Sequence, residues 1–185
     1  MGIPTEPKPV KLFVALLSRQ EELFPLVEKE LTALFGAADS ACGSLPWAVT
    51  DYYEKEMGIG LRRRMVSFAP LISPEALAGI KLETQGIEER YQWIEGENRG
   101  RRVNIDPGYV DAGKVVLAST KGASHRIYLR SGIYGEVTLL FQGGLFQPLV
   151  YTYPDYLWPE TRAFFVALRS LYLRQLNLSG QPADR

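Results

Sequence analysis

The side chains best suited to chemistry lie between residues 101 and 141 and in one aromatic turn after them. Asp106, Glu136 and Asp155 are carboxylates that would act as general acid or base, or hold a divalent cation, if the fold brought them together. The candidate proton carrier is His125, because histidine is the side chain whose unperturbed pKa lies closest to neutrality. These four residues form the candidate catalytic set.

Four further side chains are candidate binding groups for an anion. Arg102 and Arg126 offer planar guanidinium forks that match a phosphate or a carboxylate, and Lys121 offers a point charge. Asn104 adds an amide that both donates and accepts hydrogen bonds. The partner that we expect is therefore a small anionic ligand, phosphorylated or nucleotide-like.

Each assignment has a purely structural alternative. Solvated faces of antiparallel sheets carry Arg, Glu and Thr for cross-strand pairing without any ligand. By strict alternation His125 shares a face with Ile127 and Leu129, where a lone histidine is often structural. A second function class also stays open, a non-catalytic interaction or self-association module that docks through aromatic side chains. Those aromatics are Trp47, Tyr52, Tyr53, Tyr153, Tyr156 and Trp158.

Motif content excludes several kinds of site. The sequence has no G-x-x-x-x-G-K-[ST] phosphate loop, no G-x-G-x-x-G after a strand and no G-x-S-x-G. With one histidine and one cysteine, we expect no zinc, haem or iron–sulfur centre. The cofactor is left unknown, with Mg²⁺ or Mn²⁺ held by carboxylates as the remaining metal arrangement.

Length, charge and cysteine usage limit the class of protein. The chain has 185 residues, enough for a sizeable core, and its 21 basic side chains balance its 21 acidic ones. Because no net positive field exists, we expect neither a nucleic-acid nor a membrane partner. The single cysteine and the lack of a secretory pattern or an apolar run of about 20 residues predict a cytoplasmic protein. Oligomeric state, and whether the protein is an enzyme, stay open.

Alternation of polar and apolar residues predicts four strands between residues 101 and 141. On the first of them, Arg102, Asn104 and Asp106 share one face. Pro107-Gly108 is a typical turn pair, so we expect this strand to end there and to place Asp106 at a turn, where sites often lie. If the strands are neighbours, one side of the sheet is polar. The residues predicted on that side are Arg102, Asn104, Asp106, Arg126, Tyr128, Arg130, Glu136 and Thr138.

The elements before this run predict how it is positioned. Residues 10–106 follow the order strand, helix, strand, strand, helix, strand, which is that of a ferredoxin-like βαββαβ unit. The predicted ranges are 10–18, 21–35, 47–53, 61–68, 73–93 and 101–106. A mostly antiparallel sheet and a closing helix over 159–178 extend it, so the predicted fold class is α+β. We treat the chain as a single domain with a lead-in (1–9), a βαββαβ part (10–106), an antiparallel part with the helix (107–178) and a tail (179–185).

Several short motifs taken together resemble a bacterial family, domain of unknown function 4416, over nearly the whole chain. They are Thr50-x-Tyr52-Tyr53 with Glu56-Met57-Gly58, Lys81-x-x-Thr84-x-x-x-Glu88, Asn104-Ile105-Asp106-Pro107-Gly108-Tyr109, His125-Arg126-Ile127-Tyr128, Glu136-Val137-Thr138-Leu139 and Thr152-Tyr153-Pro154-Asp155-Tyr156. The resemblance implies no specific activity. Members are sometimes labelled GTP-binding proteins, but this sequence has no phosphate loop. It also lacks the base-reading Asn/Thr-Lys-x-Asp element, since Thr120-Lys121 is followed by Gly122-Ala123.

Overall fold

The structure is a computed structural model that describes residues 2–178, so the predicted tail lies outside it. Its helices are α1 (Leu23–Phe35), α2 (Glu54–Met57), α3 (Leu77–Arg90) and α4 (Pro159–Leu178). Its strands are β1 (Val10–Ser18), β2 (Ala38–Ala41), β3 (Leu45–Pro46), β4 (Arg62–Ile72), β5 (Trp93–Glu95), β6 (Asn98–Gly100), β7 (Asn104–Val110), β8 (Lys114–Ser119), β9 (Ile127–Arg130), β10 (Ile133–Gln142) and β11 (Leu145–Pro148).

One antiparallel sheet runs through almost the whole fold. Its order is β11-β10-β8-β7-β1-β4-β2, with β3 beside β4 and β9 beside β10, while β5 and β6 form a separate hairpin. In the part β7-β1-β4-β2, the first strand of the βαββαβ unit lies between its last and its third, which is the ferredoxin-like arrangement. The predicted α+β class, with an antiparallel extension and a C-terminal helix, is confirmed.

The central strand β1 is buried on both faces, which explains its unbroken apolar sequence. Leu12, Val14 and Leu16 pack in a core with α1 and α3. Phe13 and Ala15 point to the other face and pack against α4. The protein is therefore three layers thick, with helices on both sides of the sheet, and β1 holds the neighbouring strands in a rigid frame.

Residues 47–53, predicted as a strand, form a loop that leads into α2. The Thr50 hydroxyl accepts a hydrogen bond from the Tyr52 backbone N–H at 3.1 Å, and the Asp51 carbonyl accepts one from Glu54 at 3.0 Å. Such local bonds compete with a sheet ladder. The segment before this loop lies between the predicted ranges 21–35 and 47–53, and it supplies β2 and β3, which pair with β4.

The prediction that the strand carrying Asp106 ends at Pro107-Gly108 is wrong, because β7 continues to Val110. Gly108 is required by close packing instead of by a turn. A Cβ at Gly108 would lie 2.4 Å from the Val116 carbonyl oxygen and 2.7 Å from the Phe13 ring. Asp106 therefore lies within a paired strand opposite Ala15, where its backbone is held firmly.

Smaller differences concern element ends. The helix predicted over 73–93 opens with a 3₁₀ turn at Pro74–Ala76 and ends at Arg90, after which β5 and β6 form an unpredicted hairpin. Within residues 2–178, none of the helices has the length and apolar character that crossing a bilayer requires.

Candidate functional site

A cavity of about 550 Å³ lies between the 47–53 loop, α3, the sheet and the turn after β8. This volume is in the range of small-molecule sites. Its cationic lining residues are Arg63, Lys81, Arg101, Lys121 and Arg126. Its carboxylates are Glu88, Asp106, Glu136 and Asp155, and its aromatic wall is formed by Trp47, Tyr52, Tyr53, Tyr153 and Tyr156.

Six of the eight site residues chosen from the sequence line this one cavity. They are Asn104, Asp106, Lys121, Arg126, Glu136 and Asp155. Arg102 does not, since it is exposed and donates to the Gln20 side chain at 3.0 Å. Residues from β7, β10, the segment between β8 and β9, and the turn before α4 thus meet at this cavity.

His125 lies beside the cavity and is not among its lining residues. Its Nε2 atom is 3.2 Å from the Glu136 Oε2 atom, and its ring stacks on Tyr151 with centroids 4.1 Å apart. The ring therefore supports the Glu136 carboxylate from behind, which is closer to the structural alternative than to a proton carrier in contact with a ligand.

Asp106 is surrounded by donors. Lys81 Nζ lies 3.2 Å from one of its carboxylate oxygens, Asn104 Nδ2 lies 2.6 Å from the other, and Arg63 Nη1 is 3.9 Å away. Burial acts to raise the pKa of Asp106, but the charges of Lys81 and Arg63 and the two hydrogen bonds outweigh burial and lower it. Asp106 therefore stays ionised and anchors the cations around it.

Arg63 and Asp155 form a buried ion pair. The Asp155 Oδ2 atom accepts from Arg63 Nε at 2.9 Å and from Nη2 at 2.8 Å, and both side chains are almost fully buried. Burial acts to lower the pKa of Arg63, while Asp155 and other negative groups raise it above the ordinary value. The pair fixes the orientation of the guanidinium plane in the cavity wall.

Glu88 is the titratable group of the cavity whose pKa lies closest to neutrality. Burial raises the pKa of Glu88 to about 7, against the opposing charge of Lys81 at 4.0 Å. Its carboxylate accepts a hydrogen bond from the Ile105 backbone N–H, while the Ile105 carbonyl accepts one from Lys81 Nζ at 2.7 Å. Glu88 is therefore held on the backbone of β7, with a pKa near neutrality.

Arg126 braces the turn that closes the cavity on one side. Its Nε donates to Glu136 at 2.6 Å, and its Nη1 donates to the Ser119 hydroxyl and to the Lys121 carbonyl, each at 2.8 Å. Thr138 donates to the other Glu136 oxygen at 3.3 Å. The positive charge of Arg126 is thus balanced by a buried carboxylate, and the turn is rigid.

The two sides of the cavity mouth touch through Lys121 and Tyr52. The Lys121 amine donates to the Tyr52 hydroxyl and lies 4.1 Å from its ring centroid. On the other side, Arg101 donates to Glu56 at 2.8 and 2.7 Å and lies 5.5 Å from the Tyr53 ring. These contacts hold the 47–53 loop and α2 over the sheet.

A family model described as Domain of unknown function (DUF4416) matches residues 8–172. The chain belongs to this family. The assignment drawn from its short motifs is confirmed, and the DUF4416 match includes every residue that lines the cavity. Searches of curated proteins and of solved structures found no match.

The carboxylates of this DUF4416 chain face cations. Asp106, Glu136 and Asp155 each have a Lys or Arg partner, and residues 2–178 contain no group of three or more His, Cys, Asp or Glu side chains that could hold a metal ion. The cavity is thus lined by ion pairs whose charges cancel, and Lys121 lies at its edge.

Sequence reasoning missed four charged members of the site, Arg63, Lys81, Glu88 and Arg101. Lys81 and Glu88 are seven positions apart, two turns on one face of α3, so their spacing was an available signal. On β4, the alternation of side chains puts Arg63 on the face opposite to that of Arg62 and Arg64, so alternation was an available signal for it as well. Arg101 had no such signal, because β7 begins only at Asn104 and alternation does not apply before it.

Proposed function

We propose that this protein binds a small phosphorylated molecule of nucleotide size in the cavity. The observation that carries the proposal is Lys121. Within residues 2–178 no carboxylate lies within 4.0 Å of its amine, and Lys121 lines the cavity together with Ser119 and Thr120. A cation and two hydroxyl-bearing residues in one turn suit a phosphate group.

The charge balance of the lining supports an anionic ligand. Five cations face four carboxylates, and one of these, Glu88, has a pKa of about 7 and is partly protonated at neutral pH. The other three carboxylates pair with Lys81, Arg126 and Arg63, and Arg101 is neutralised by Glu56. Among the cations of the lining, Lys121 is thus the one without a carboxylate partner within residues 2–178, and because it is exposed, an anionic group beside it would lose little hydration.

The aromatic wall supports a ligand that also carries a flat ring. Tyr52 and Tyr53 pack edge to face with centroids 5.0 Å apart, and Tyr53 packs in the same way on Trp47 at 5.6 Å. Aromatic walls of this kind accept planar rings by stacking. The aromatics assigned to a docking surface in the alternative hypothesis therefore mostly line the cavity.

If the bound molecule reacts, Glu88 is the group placed to carry the proton. It lines the cavity and has a near-neutral pKa, whereas Asp106 is held ionised and His125 lies behind Glu136.

Calorimetric titration at low salt tests the proposal, with uridine 5′-monophosphate, ribose 5-phosphate and phosphate-free uridine as probes. We expect the two phosphorylated probes to bind and uridine to bind much more weakly. Lys121→Ala should weaken phosphate binding by about ten- to a hundredfold, the effect of a lost charged hydrogen bond.

Lys29→Ala is the matched control. Lys29 is exposed on α1 and does not line the cavity, so this substitution removes one positive charge at a position away from the proposed site. Equal losses in both variants, or no binding of either phosphorylated probe, would refute the proposal.

A second candidate function is self-association through β9. This short strand pairs with β10 on one side only, and Ile127, Tyr128 and Leu129 on it are 74%, 57% and 42% exposed. An edge strand with exposed apolar side chains is a template for pairing with a second copy. The dependence of molecular mass on protein concentration tests this candidate.

A further inference from the structure

Two buried N–H groups in the cavity wall have no hydrogen-bond acceptor among residues 2–178. They are Trp47 Nε1 and Arg63 Nη1, and the two residues are 6% and 5% exposed. Both residues line the cavity. Unpartnered buried donors are rare in folded proteins, so two on one cavity indicate a position for an acceptor that the protein does not itself supply.

The geometry leaves room for that acceptor. Asp155 holds the Nε and Nη2 atoms of Arg63, so the guanidinium cannot rotate to pair Nη1 elsewhere. Nη1 is 3.9 Å from Asp106 Oδ2, too far for a hydrogen bond. The Arg63 guanidinium carbon lies 5.9 Å from the Trp47 ring centroid, so the two residues with unpartnered donors are neighbours in the cavity wall.

The charges around these donors favour an uncharged acceptor. Arg63 is paired with Asp155, and Lys81 is paired with Asp106. A second anionic group here would be taken out of water without a free cation to compensate it. A carbonyl oxygen has two lone pairs and can accept both N–H groups without that cost.

We infer that Trp47 and Arg63 form a carbonyl-binding subsite in the wall of the cavity. A phosphorylated compound would place its phosphate at Lys121 and a ring carbonyl oxygen at Trp47 Nε1 and Arg63 Nη1. This inference rests on the proposed function and adds to it the ligand's orientation and its chemical class, a phosphorylated compound with a ring carbonyl.

The direct test follows the Trp47 indole N–H by NMR in the wild-type protein, which avoids any loss of folding. The chain has three tryptophans, so three indole signals are expected, and Trp47→Phe assigns the one of interest. Uridine 5′-monophosphate, which has ring carbonyls, should shift the Trp47 signal downfield. Ribose 5-phosphate, which has the same phosphorylated sugar but lacks the uracil base and its carbonyls, should bind and leave that signal in place.

Affinity gives the second measurement. Trp47→Phe keeps an aromatic ring in the wall and removes the indole N–H. It should weaken the binding of uridine 5′-monophosphate by about five- to tenfold, the effect of one lost hydrogen bond. It should leave the affinity for ribose 5-phosphate unchanged.

An unmoved Trp47 signal with bound uridine 5′-monophosphate, or equal losses for both probes, would overturn the subsite while the proposed function stands. Failure of both probes to bind the wild-type protein would overturn the two together.

Discussion

At the scale of a single residue, Glu88 makes the stability of the folded protein depend on pH. Burial raises the pKa of its carboxyl to about 7 from an ordinary value of 4.5. The folded protein therefore binds a proton that the unfolded chain has released between these two pH values. The stability that Glu88 contributes is fully present below about pH 4.5 and is lost as pH rises through about 7.

Glu88→Gln removes this titration and keeps an oxygen that accepts from the Ile105 N–H. From about pH 5 to 7, the free energy of unfolding of the wild type should fall relative to the variant by up to about 1.4 kcal/mol per pH unit. Urea unfolding at several pH values measures this difference. Glu89→Gln, an exposed neighbour, should give a curve parallel to the wild type; a parallel curve for Glu88→Gln would contradict the assignment.

Residue type was enough to select many members of the site but not their partners. Asp106 and Asp155 were chosen as carboxylates at promising positions, and both line the cavity. Their partner Arg63 is 92 positions from Asp155, and the sequence alone offered no physical signal for such a pairing. Without the partners, a cluster of carboxylates resembled a metal or acid–base site, whereas the structure shows ion pairs.

At the scale of elements, β9 gives the prediction that separates the two candidate functions. If β9 pairs with a second copy, the molecular mass measured by light scattering should rise with protein concentration. Ile127→Lys places a charge on the exposed edge and should keep the protein monomeric.

The control for this variant is Ile59→Lys. Ile59 is similarly exposed, at 77%, but lies in the loop after α2 and away from the strand edge. Its variant should associate as the wild type does. A monomeric wild type at every concentration would refute self-association and leave ligand binding as the remaining candidate.

The periodicity of apolar residues predicted a strand or helix well where burial of apolar side chains alone determines the element. The apolar run of β1 and the helical spacing of α4 reflect burial, and their ranges were predicted correctly. The 47–53 loop failed because side chain-to-backbone bonds at Thr50 compete with sheet pairing. The Pro107-Gly108 pair failed because a glycine that gives space to a neighbouring strand cannot be distinguished by type from one that turns the chain.

At the scale of the whole molecule, the cavity exists because the 47–53 loop and α2 fold over the end of a ferredoxin-like sheet. The strand order follows from the sequence of elements, so the sheet was predictable. The position of the 47–53 loop and α2 over the sheet was not predictable, since it depends on long-range contacts such as Lys121 with Tyr52 and Arg101 with Glu56. The strand order of the sheet is thus easier to predict than the loop that closes a cavity on it.

A second cavity of about 590 Å³, between the lead-in, the β7–β8 turn and α4, provides an internal comparison. Its lining also contains basic residues, including Lys114 and Arg169. Lys114 is paired with Asp111, and Arg169 donates to the Ala112 carbonyl and lies over the Phe141 ring at 3.6 Å. Basic side chains alone therefore do not distinguish the two cavities, whereas Lys121 does, since no carboxylate of residues 2–178 lies within 4.0 Å of its amine.

The measurement that tests the central claim most directly is a two-dimensional amide NMR titration of the wild-type protein with uridine 5′-monophosphate. Binding in the proposed cavity predicts that the backbone amide signals of residues 119–121 and 104–106 move in a saturable way, while those of residues 111–114 stay unchanged. Saturable shifts confined to residues 111–114 and α4, or no shift anywhere at millimolar ligand, would contradict it.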